Sequence, residues 1–176
     1  MSDSITVNDL VFRPAIMSEA EAIWGIIQQA IQKRKEEGSD QWQNGYPNLK
    51  VVQEDIEDGY AYVHVDENNH VYGYLALIFD VEPAYEDING KWLTDLPYAV
   101  VHRIAVNQEP YVKGQASAMM EKIEPICLEK GYQTIKVDTN FDNVGMLRVF
   151  EKLGYTYCGE VVLRGGIRKA YEKLLK

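Results

Sequence analysis

One segment of this sequence combines a predicted buried strand, a loop with a glycine and the start of a helix. It covers residues 101–123 and reads VHRIAVNQEPYVKGQASAMMEKI. The first backbone N–H groups of a helix have no intrahelical partner, and the helix dipole adds about half a positive charge there. Gly114 and Ala116 leave room for a ligand beside the main chain, and Lys113 can add charge. The segment therefore predicts a pyrophosphate cradle made of backbone donors in residues 112–117.

The surrounding pattern predicts the elements that must position this loop. Before it, we predict a strand at 5–13, a helix from a capping box at Ser18 to about residue 37, a helix at 49–58, a hairpin of strands 60–65 and 71–79, and a strand at 98–106. After it, we predict a helix at 115–130, a strand at 134–140, a helix at 143–153, a strand at 155–163 and an edge strand at 170–175. This order favours an α/β fold with one mixed sheet and helices on both faces, in a single domain over residues 1–176.

The composition excludes several classes of protein. The chain has 176 residues, of which 46% are hydrophobic and 26% are charged, as in a globular domain and unlike disordered or fibrous chains. Its apolar runs are too short to cross a bilayer, and its N-terminus lacks a signal-peptide pattern, so we expect a cytoplasmic protein with no membrane partner. Cys127 and Cys158 lack metal-ligand spacing and are expected to be reduced core residues, with no metal site.

Charge is distributed unevenly along the chain. The net charge of the whole sequence is -9, which argues against a nucleic-acid partner. Residues 1–35 have a net charge of 0, residues 36–95 of -12 and residues 96–176 of +3. This distribution would suit a site where a cationic substrate meets an anionic cofactor, and it equally fits a solvated acidic surface. Both interpretations stay open at this stage.

The stretch from about residue 98 to 160 resembles the GNAT superfamily of N-acetyltransferases. The family's pyrophosphate signature, Q/R-x-x-G-x-G/A, corresponds to YVKGQA at residues 111–116. A later family signature corresponds to Asn143, Met146, Phe150, Glu151, Gly154 and Tyr155. QWQNGYP at 41–47, with Tyr98, also resembles an uncharacterised bacterial branch of the family.

The resemblance implies a fold, a co-substrate and a set of binding residues. The fold is a GNAT-type mixed sheet with splayed central parallel strands, and the co-substrate is acetyl-coenzyme A. Its pantetheine arm would lie between the strand ending at Val106 and the strand 134–140, with an amide N–H near Val106 stabilising the oxyanion. The residues that the resemblance assigns to acetyl-coenzyme A are Ile104, Ala105, Val106, Val112, Lys113, Gly114, Gln115, Ala116, Ser117, Asn143, Met146 and Phe150.

Two positions depart from the family's pattern. Tyr111 stands where a Gln or Arg is usual, so the cradle would depend on backbone donors and Lys113. Phe150 stands where many members have the tyrosine that protonates the departing thiolate. A phenyl ring cannot donate a proton, and loss of a general acid removes a factor of about 10² to 10⁴ in rate.

Three residues are candidates for the catalytic base. His102 is the group of its strand that titrates near neutrality, and strand alternation places it on the face of Val100 and Ile104. Asp138 on the neighbouring strand and Tyr98 are comparable candidates. Each also has a structural interpretation: a histidine bonded to a carbonyl, a carboxylate that caps a turn and a tyrosine that packs.

The leading hypothesis is an acetyl-coenzyme A-dependent N-acetyltransferase acting on a small amine or a protein N-terminus. The acidic middle favours a free cationic metabolite within that class, bound by loop aromatics at Trp42, Tyr46 and Trp92. The same aromatics fit a plug at the end of the sheet or a homodimer contact. A non-catalytic acyl-coenzyme A sensor is the alternative, whereas a Rossmann nucleotide binder is disfavoured because G-x-G-x-x-G is absent.

Overall fold

The computed structural model describes residues 5–176, which form eight strands and four helices. The strands are β1 (Val11–Pro14), β2 (Ala61–Val65), β3 (Val71–Ile78), β4 (Asn89–Gly90), β5 (Ala99–Val106), β6 (Thr134–Asn140), β7 (Thr156–Leu163) and β8 (Gly166–Leu174). The helices are α1 (Ala20–Glu36), α2 (Leu49–Glu57), α3 (Gln115–Glu129) and α4 (Val144–Lys152). No helix within residues 5–176 is long and apolar enough to span a bilayer.

The strands form one mixed sheet in the order β1-β2-β3-β5-β6-β8-β7-β4. β5 and β6 are parallel, whereas β1–β2, β2–β3, β6–β8, β7–β8 and β4–β7 are antiparallel. The parallel ladder joins only Ala99–Val101 to Ile135–Val137, although the two strands have eight and seven residues. This short ladder agrees with the predicted splaying of the central parallel strands.

Contacts divide the chain into two compact units. Unit 1 comprises the residues up to Ala76 together with Arg103–Met119, and unit 2 comprises Leu77–His102 and Met120–Lys176. Unit 1 contains the β2–β3 hairpin, and α1 packs on α2 within it. In unit 2 a buried cluster of Tyr85, Val100, Val161, Leu163 and Ala170 fills one face of the sheet. Both cysteines, Cys127 and Cys158, are free and buried, as predicted.

The predicted capping box at Ser18 is wrong, because the chain enters α1 through a 3-10 turn. The capping side chain is instead Glu19, whose carboxylate accepts a bond from the backbone N–H of Ile16 at 3.0 Å. The same carboxylate pairs with Arg13 at 2.7 Å and is largely buried. A paired, buried glutamate at this position fixes the entry of the chain into the helix.

The ends of two predicted strands also differ. The strand expected over 5–13 is confined to Val11–Pro14, because a 3-10 turn at Val7–Asp9 precedes it. That turn is held by the Asp9 carboxylate, which accepts a bond from the Thr6 N–H at 2.8 Å.

The predicted edge strand at 170–175 is a central strand. β8 begins earlier, at Gly166, and lies between β6 and β7, so β1 and β4 are the edges. Its Glu172 is fully buried, and accepts bonds from the hydroxyls of Thr134 at 2.6 Å and Thr94 at 2.7 Å. These partners come from distant segments, and they allow a charged side chain to occupy an interior strand.

β4 was not predicted, since it has only two residues, and its pairing with β7 depends on a close approach. A Cβ on Gly159 would lie 2.3 Å from the carbonyl oxygen of Asn89, and Gly159 has φ +138.

We expect Gly159→Ala to lower the free energy of unfolding by at least twice the loss in Gly165→Ala. Gly165 also has positive φ (+75) but open space around its Cβ position, so its alanine variant should cost only about 1–2 kcal/mol of backbone strain.

Urea unfolding of both variants at matched m-values checks this expectation. Equal losses in the two variants would show that the approach of β4 to β7 contributes nothing beyond backbone conformation.

Candidate functional site

The loop before α3 leaves backbone donors unpaired at the start of a 15-residue helix. Among residues 5–176, nothing accepts a hydrogen bond from the backbone N–H groups of residues 113–117. The first bond of this turn joins the N–H of Ala118 to the carbonyl of Gly114 at 3.0 Å. Five adjacent donors at the positive end of a helix dipole are an arrangement that is able to bind an anion.

Gly114 keeps this loop accessible. It has φ +85, and no atom lies within 4 Å of the position that a Cβ would take. Lys113 beside it is exposed, Ala116 is half-buried and Ser117 is buried. The predicted cradle therefore has the two properties that an approaching phosphate needs, namely free donors and open space beside the main chain.

Gln115 acts as an anchor for the loop through its side chain. That side chain is almost fully buried, and its Nε2 donates to the carbonyl oxygen of Tyr72 at 3.0 Å. Its Oε1 accepts from Nδ1 of buried His64 at 3.0 Å. The fit is tight, since a Cβ on Gly73 would lie 2.6 Å from Oε1. Gln115 can therefore offer a ligand only its backbone N–H, and the sequence held no signal that links it to His64.

The remaining predicted residues of unit 1 lie at the end of β5. Ile104 and Val106 are half-buried and Ala105 is buried, as strand alternation requires. The parallel ladder involves β5 only up to Val101, so the backbone groups of residues 104–106 lie beyond it. Val112 is buried in a small cluster with Leu10 and Tyr72.

In unit 2, His102 is paired with a carboxylate. Its Nε2 lies 3.1 Å from Oε2 of Glu82, and the two side chains are 10% and 21% exposed. The hydrogen bond from His102 lowers the pKa of Glu82. Because Nε2 carries the hydrogen of this bond, Nδ1 is the nitrogen with a lone pair to accept a proton. This geometry is that of an oriented imidazole base, and Glu82 was missed as its partner.

Asp138 is the second candidate that the structure places in a specific network. The hydroxyl of Tyr85 donates to its Oδ1 at 2.5 Å. Burial raises the pKa of Asp138, against the opposing effects of the Tyr85 bond and of nearby His102, Arg168 and Arg164. Burial also raises the pKa of Tyr85, so its hydroxyl stays protonated and donates. Raised carboxylate pKa values of this kind mark candidate proton acceptors.

The side chain of Tyr98 mainly packs against other residues of unit 2. Its hydroxyl oxygen accepts from the backbone N–H of Glu82 at 3.1 Å, and burial raises its pKa, which makes it a poor base near neutrality. Lys136 lies with its Nζ 4.2 Å from the Tyr98 ring centroid and 4.5 Å from that of Trp92. Trp92 also donates to the carbonyl oxygen of Tyr85 at 2.8 Å. Trp92 thus packs in unit 2, where the sequence left open both a contact with the acceptor and a plug at the end of the sheet.

The loop aromatics of unit 1 include one that is anchored to β5. Arg103 donates to the hydroxyl of Tyr46. It also forms an ion pair with Asp55, in which its Nη2 lies 2.7 Å from each of the two carboxylate oxygens. Tyr74 donates to the same carboxylate. This buried network ties loop 39–48 to β5, which the sequence did not indicate.

The residues of the later signature have structural roles in unit 2. Asn143 accepts from the backbone N–H of Met146 at 3.3 Å and thereby caps α4. Phe150 is 2% exposed, with its ring centroid 5.6 Å from that of Tyr155 and 5.2 Å from that of Tyr171. A cap and a core aromatic explain part of this motif without any ligand.

Tyr85 and Arg168 are two further residues near the candidate catalytic groups that the sequence analysis did not identify. Tyr85 lies in the connection before β5, where Glu82 caps a 3-10 turn by accepting from the Ala84 N–H at 3.2 Å. The pattern E-P-x-Y shows such a turn but not that Tyr85 bonds to a residue 53 positions later. Arg168 lies on β8, and only the strand order brings it beside β6.

Comparisons with known proteins agree with this architecture. A family model described as the acetyltransferase (GNAT) family matches residues 27–155, and no curated protein matches the chain. A GNAT-family acetyltransferase from Streptococcus agalactiae 2603 is 34% identical with a TM-score of 0.85, covering 95% of this chain and 96% of that one. One from Listeria monocytogenes 4b F2365 is 20% identical with a TM-score of 0.74, covering 94% and 95%.

More distant structures share the fold alone. The structure of the NatC complex bound to Gag peptide and CoA matches with 15% identity and a TM-score of 0.68, covering 96% of this chain and 99% of that one. The matches confirm the resemblance noted over residues 98–160 and the predicted fold class. They also extend the likeness to segments where the sequence carried no family signature.

The raised pKa of Asp138 predicts a pH dependence of stability. The folded state holds this proton more tightly than the unfolded state, so the contribution of Asp138 to stability should fall as pH rises from about 4 to the raised pKa, by at most about 1.4 kcal/mol per pH unit. Asp138→Asn should remove this decline. Tyr85→Phe should extend it to higher pH, because the bond from Tyr85 lowers the Asp138 pKa.

Urea unfolding at a series of pH values from 4 to 8 measures the decline in the three proteins. Parallel curves for the parent and Asp138→Asn would show that Asp138 titrates alike in the folded and unfolded states.

Proposed function

The chain belongs to the GNAT family of acetyltransferases, and we propose that it transfers an acetyl group from acetyl-coenzyme A to a primary amine. The acceptor is a small molecule or a protein N-terminus, and the acidic segment 36–95 favours a small cationic molecule. The observation that carries the proposal is the run of unpaired N–H groups at 113–117 beside exposed Gly114. Two linked phosphates are the anion that such a loop suits best.

Each residue of the loop has a distinct task in this proposal. The N–H groups of residues 113–117 bind the pyrophosphate, and Lys113 adds a positive charge that compensates for the family position held here by Tyr111. Gln115 keeps the loop in shape through Tyr72 and His64. A loop held in this way has little conformational entropy to lose on binding.

Acetyl-coenzyme A supplies the acetyl group as a thioester. The amine nitrogen attacks the carbonyl carbon, the carbon–sulfur bond breaks, and the ammonium proton passes to a base. We assign that base to His102, whose Nε2 bond to Glu82 orients the ring. Asp138 is the alternative, and a backbone N–H near Val106 is proposed to stabilise the oxyanion. Positioning of the two reactants can supply several kcal/mol without a covalent intermediate.

A second candidate function is a non-catalytic acyl-coenzyme A sensor. Phe150 favours it, because this buried ring offers no hydroxyl to protonate the leaving thiolate. The two functions differ in one measurement, the release of free thiol from acetyl-coenzyme A with a panel of amines. Binding without thiol release would identify the sensor.

Gly114→Asp should abolish binding of coenzyme A, because the added carboxylate enters the space that the phosphates need. Gly131→Asp is the matched control, since Gly131 has a similar φ (+89 against +85), equally open surroundings and lies just beyond the other end of α3. Isothermal titration calorimetry should show at least a roughly 100-fold loss in the first variant and parental affinity in the second. Equal affinities would remove the proposed pyrophosphate site.

His102→Ala should flatten the dependence of kcat/KM on pH, because it removes the imidazole proposed to accept the ammonium proton. His70→Ala is the control, since His70 also contacts a carboxylate, that of Asp66 at 3.3 Å, but is 74% exposed on a hairpin turn. It should keep the parental profile. If His102→Ala keeps that profile while Asp138→Asn loses it, the base is Asp138.

A further inference from the structure

Arg168 on β8 is half-buried, yet its side chain makes no hydrogen bond or ion pair with any of residues 5–176. Its Nε is completely shielded from solvent and has no partner. Burial lowers its pKa, which reflects the cost of placing a guanidinium there. A buried donor that the protein leaves unpaired is uncommon and points to a role outside the fold's own bonding.

The strand register places Arg168 on the face of the proposed catalytic groups. In the β6–β8 ladder, Asp138 is opposite Ala170 and Asn140 is opposite Arg168. Residues two apart on a strand share a face, so Arg168 lies on the same side of the sheet as Asp138. Tyr85, which bonds to Asp138, also packs against Ala170 in the buried cluster on this face.

His102 belongs to the same face. Val100 pairs with Lys136 in the parallel ladder between β5 and β6. Two residues further along each strand, His102 and Asp138 therefore take the same side of the sheet as that pair. The proposed base and the guanidinium thus lie on one face of the sheet in unit 2.

One side of the guanidinium packs against the main chain. Gly166 precedes Arg168 by two residues on β8, and a Cβ there would lie 3.7 Å from both Nε and Nη2. The guanidinium therefore lies against bare main chain. Because Nε is shielded there, the Nη groups are the donors that a carboxylate can reach, and a guanidinium can bind a carboxylate through two parallel bonds.

The surrounding charges favour an anion at this position. Arg164, in the turn between β7 and β8, lowers the pKa of Glu82, Asp138 and Arg168, so it lies within electrostatic range of all three. The acidic groups that face Arg168 are Asp138 and Asp142. Neither accepts a hydrogen bond from it, and Asp138 is already bonded to Tyr85. Two arginines that repel each other, one of them without a partner, would gain from a further negative group.

We propose that the acceptor carries a carboxylate as well as its amine, and that Arg168 binds this carboxylate through its Nη groups. The inference rests on the proposed amine acetylation and narrows its acceptor to amino-acid-type molecules. The acidic segment 36–95 suggests a purely cationic substrate, but the face that carries the catalytic groups is mixed in charge. Arg168 then acts as a specificity-determining residue, with His102 or Asp138 serving the amine end.

Acceptor pairs that differ only in the carboxylate test this inference. Each amino acid is compared with its decarboxylated amine and its carboxamide by thiol release, and a peptide with a free N-terminus is included. The parent should favour the carboxylate form by about 10- to 100-fold in kcat/KM. Arg168→Gln should remove this preference. Lys169→Gln removes the same charge one residue along, on the opposite face of β8, and should keep it.

Binding of acetate provides a readout that does not need turnover. The Nε–H resonance of Arg168, assigned by its loss in Arg168→Gln, is followed while sodium acetate replaces sodium chloride at constant ionic strength. A saturable shift that persists in Lys169→Gln supports the carboxylate site. If the Nε–H resonance of Arg168 responds to acetate no differently than to chloride, the proposed carboxylate site is overturned.

The two arms separate the possible failures. If no amine releases thiol, the proposed acetylation fails, and the acetate titration alone decides whether Arg168 binds a carboxylate. If amines are acetylated but the decarboxylated form or the peptide is preferred, the enzyme stands and the inference about Arg168 is overturned.

Discussion

The functional interpretation depends on five backbone N–H groups, at residues 113–117, that have no acceptor among residues 5–176. Exposed donors alone would be ordinary, since every helix begins with some. Here they are held in place by Gln115, whose buried amide bonds to Tyr72 and His64. A side chain that is fully committed to the protein thus keeps the main chain available for a ligand. This division of tasks explains why a buried glutamine occupies the first position of α3.

Unit 2 adds reactive groups on a single face of the sheet. The insertion of β8 between β6 and β7 puts Arg168 on the side of Asp138, and the parallel ladder puts His102 there as well. The hydrogen bonds of Tyr85 and Glu82 orient Asp138 and His102. Buried charges and hydrogen bonds in this network tune proton affinities in a way that an open surface could not.

Several motif residues serve the fold before they serve chemistry. Asn143 caps α4, and Phe150 packs between Tyr155 and Tyr171. Trp92 is half-buried and packs on Tyr85 in unit 2. A sequence signature can therefore identify the family even where the residues of the signature stabilise the fold. The residue-level roles have to be read from the contacts.

The sequence by itself determined most of the elements and the family, and it predicted the cradle. Short-range rules, such as strand alternation and the loop around Gly114 before a helix, depend only on neighbouring residues, and they located most helices and strands correctly. Only the tertiary structure decided that β8 is central, that Glu172 is buried, and that Tyr85, Glu82 and Arg168 belong with Asp138 and His102. These facts depend on strand order and on pairs separated by many residues. The free energy of such contacts comes from burial and bonding between distant segments, which no local pattern encodes.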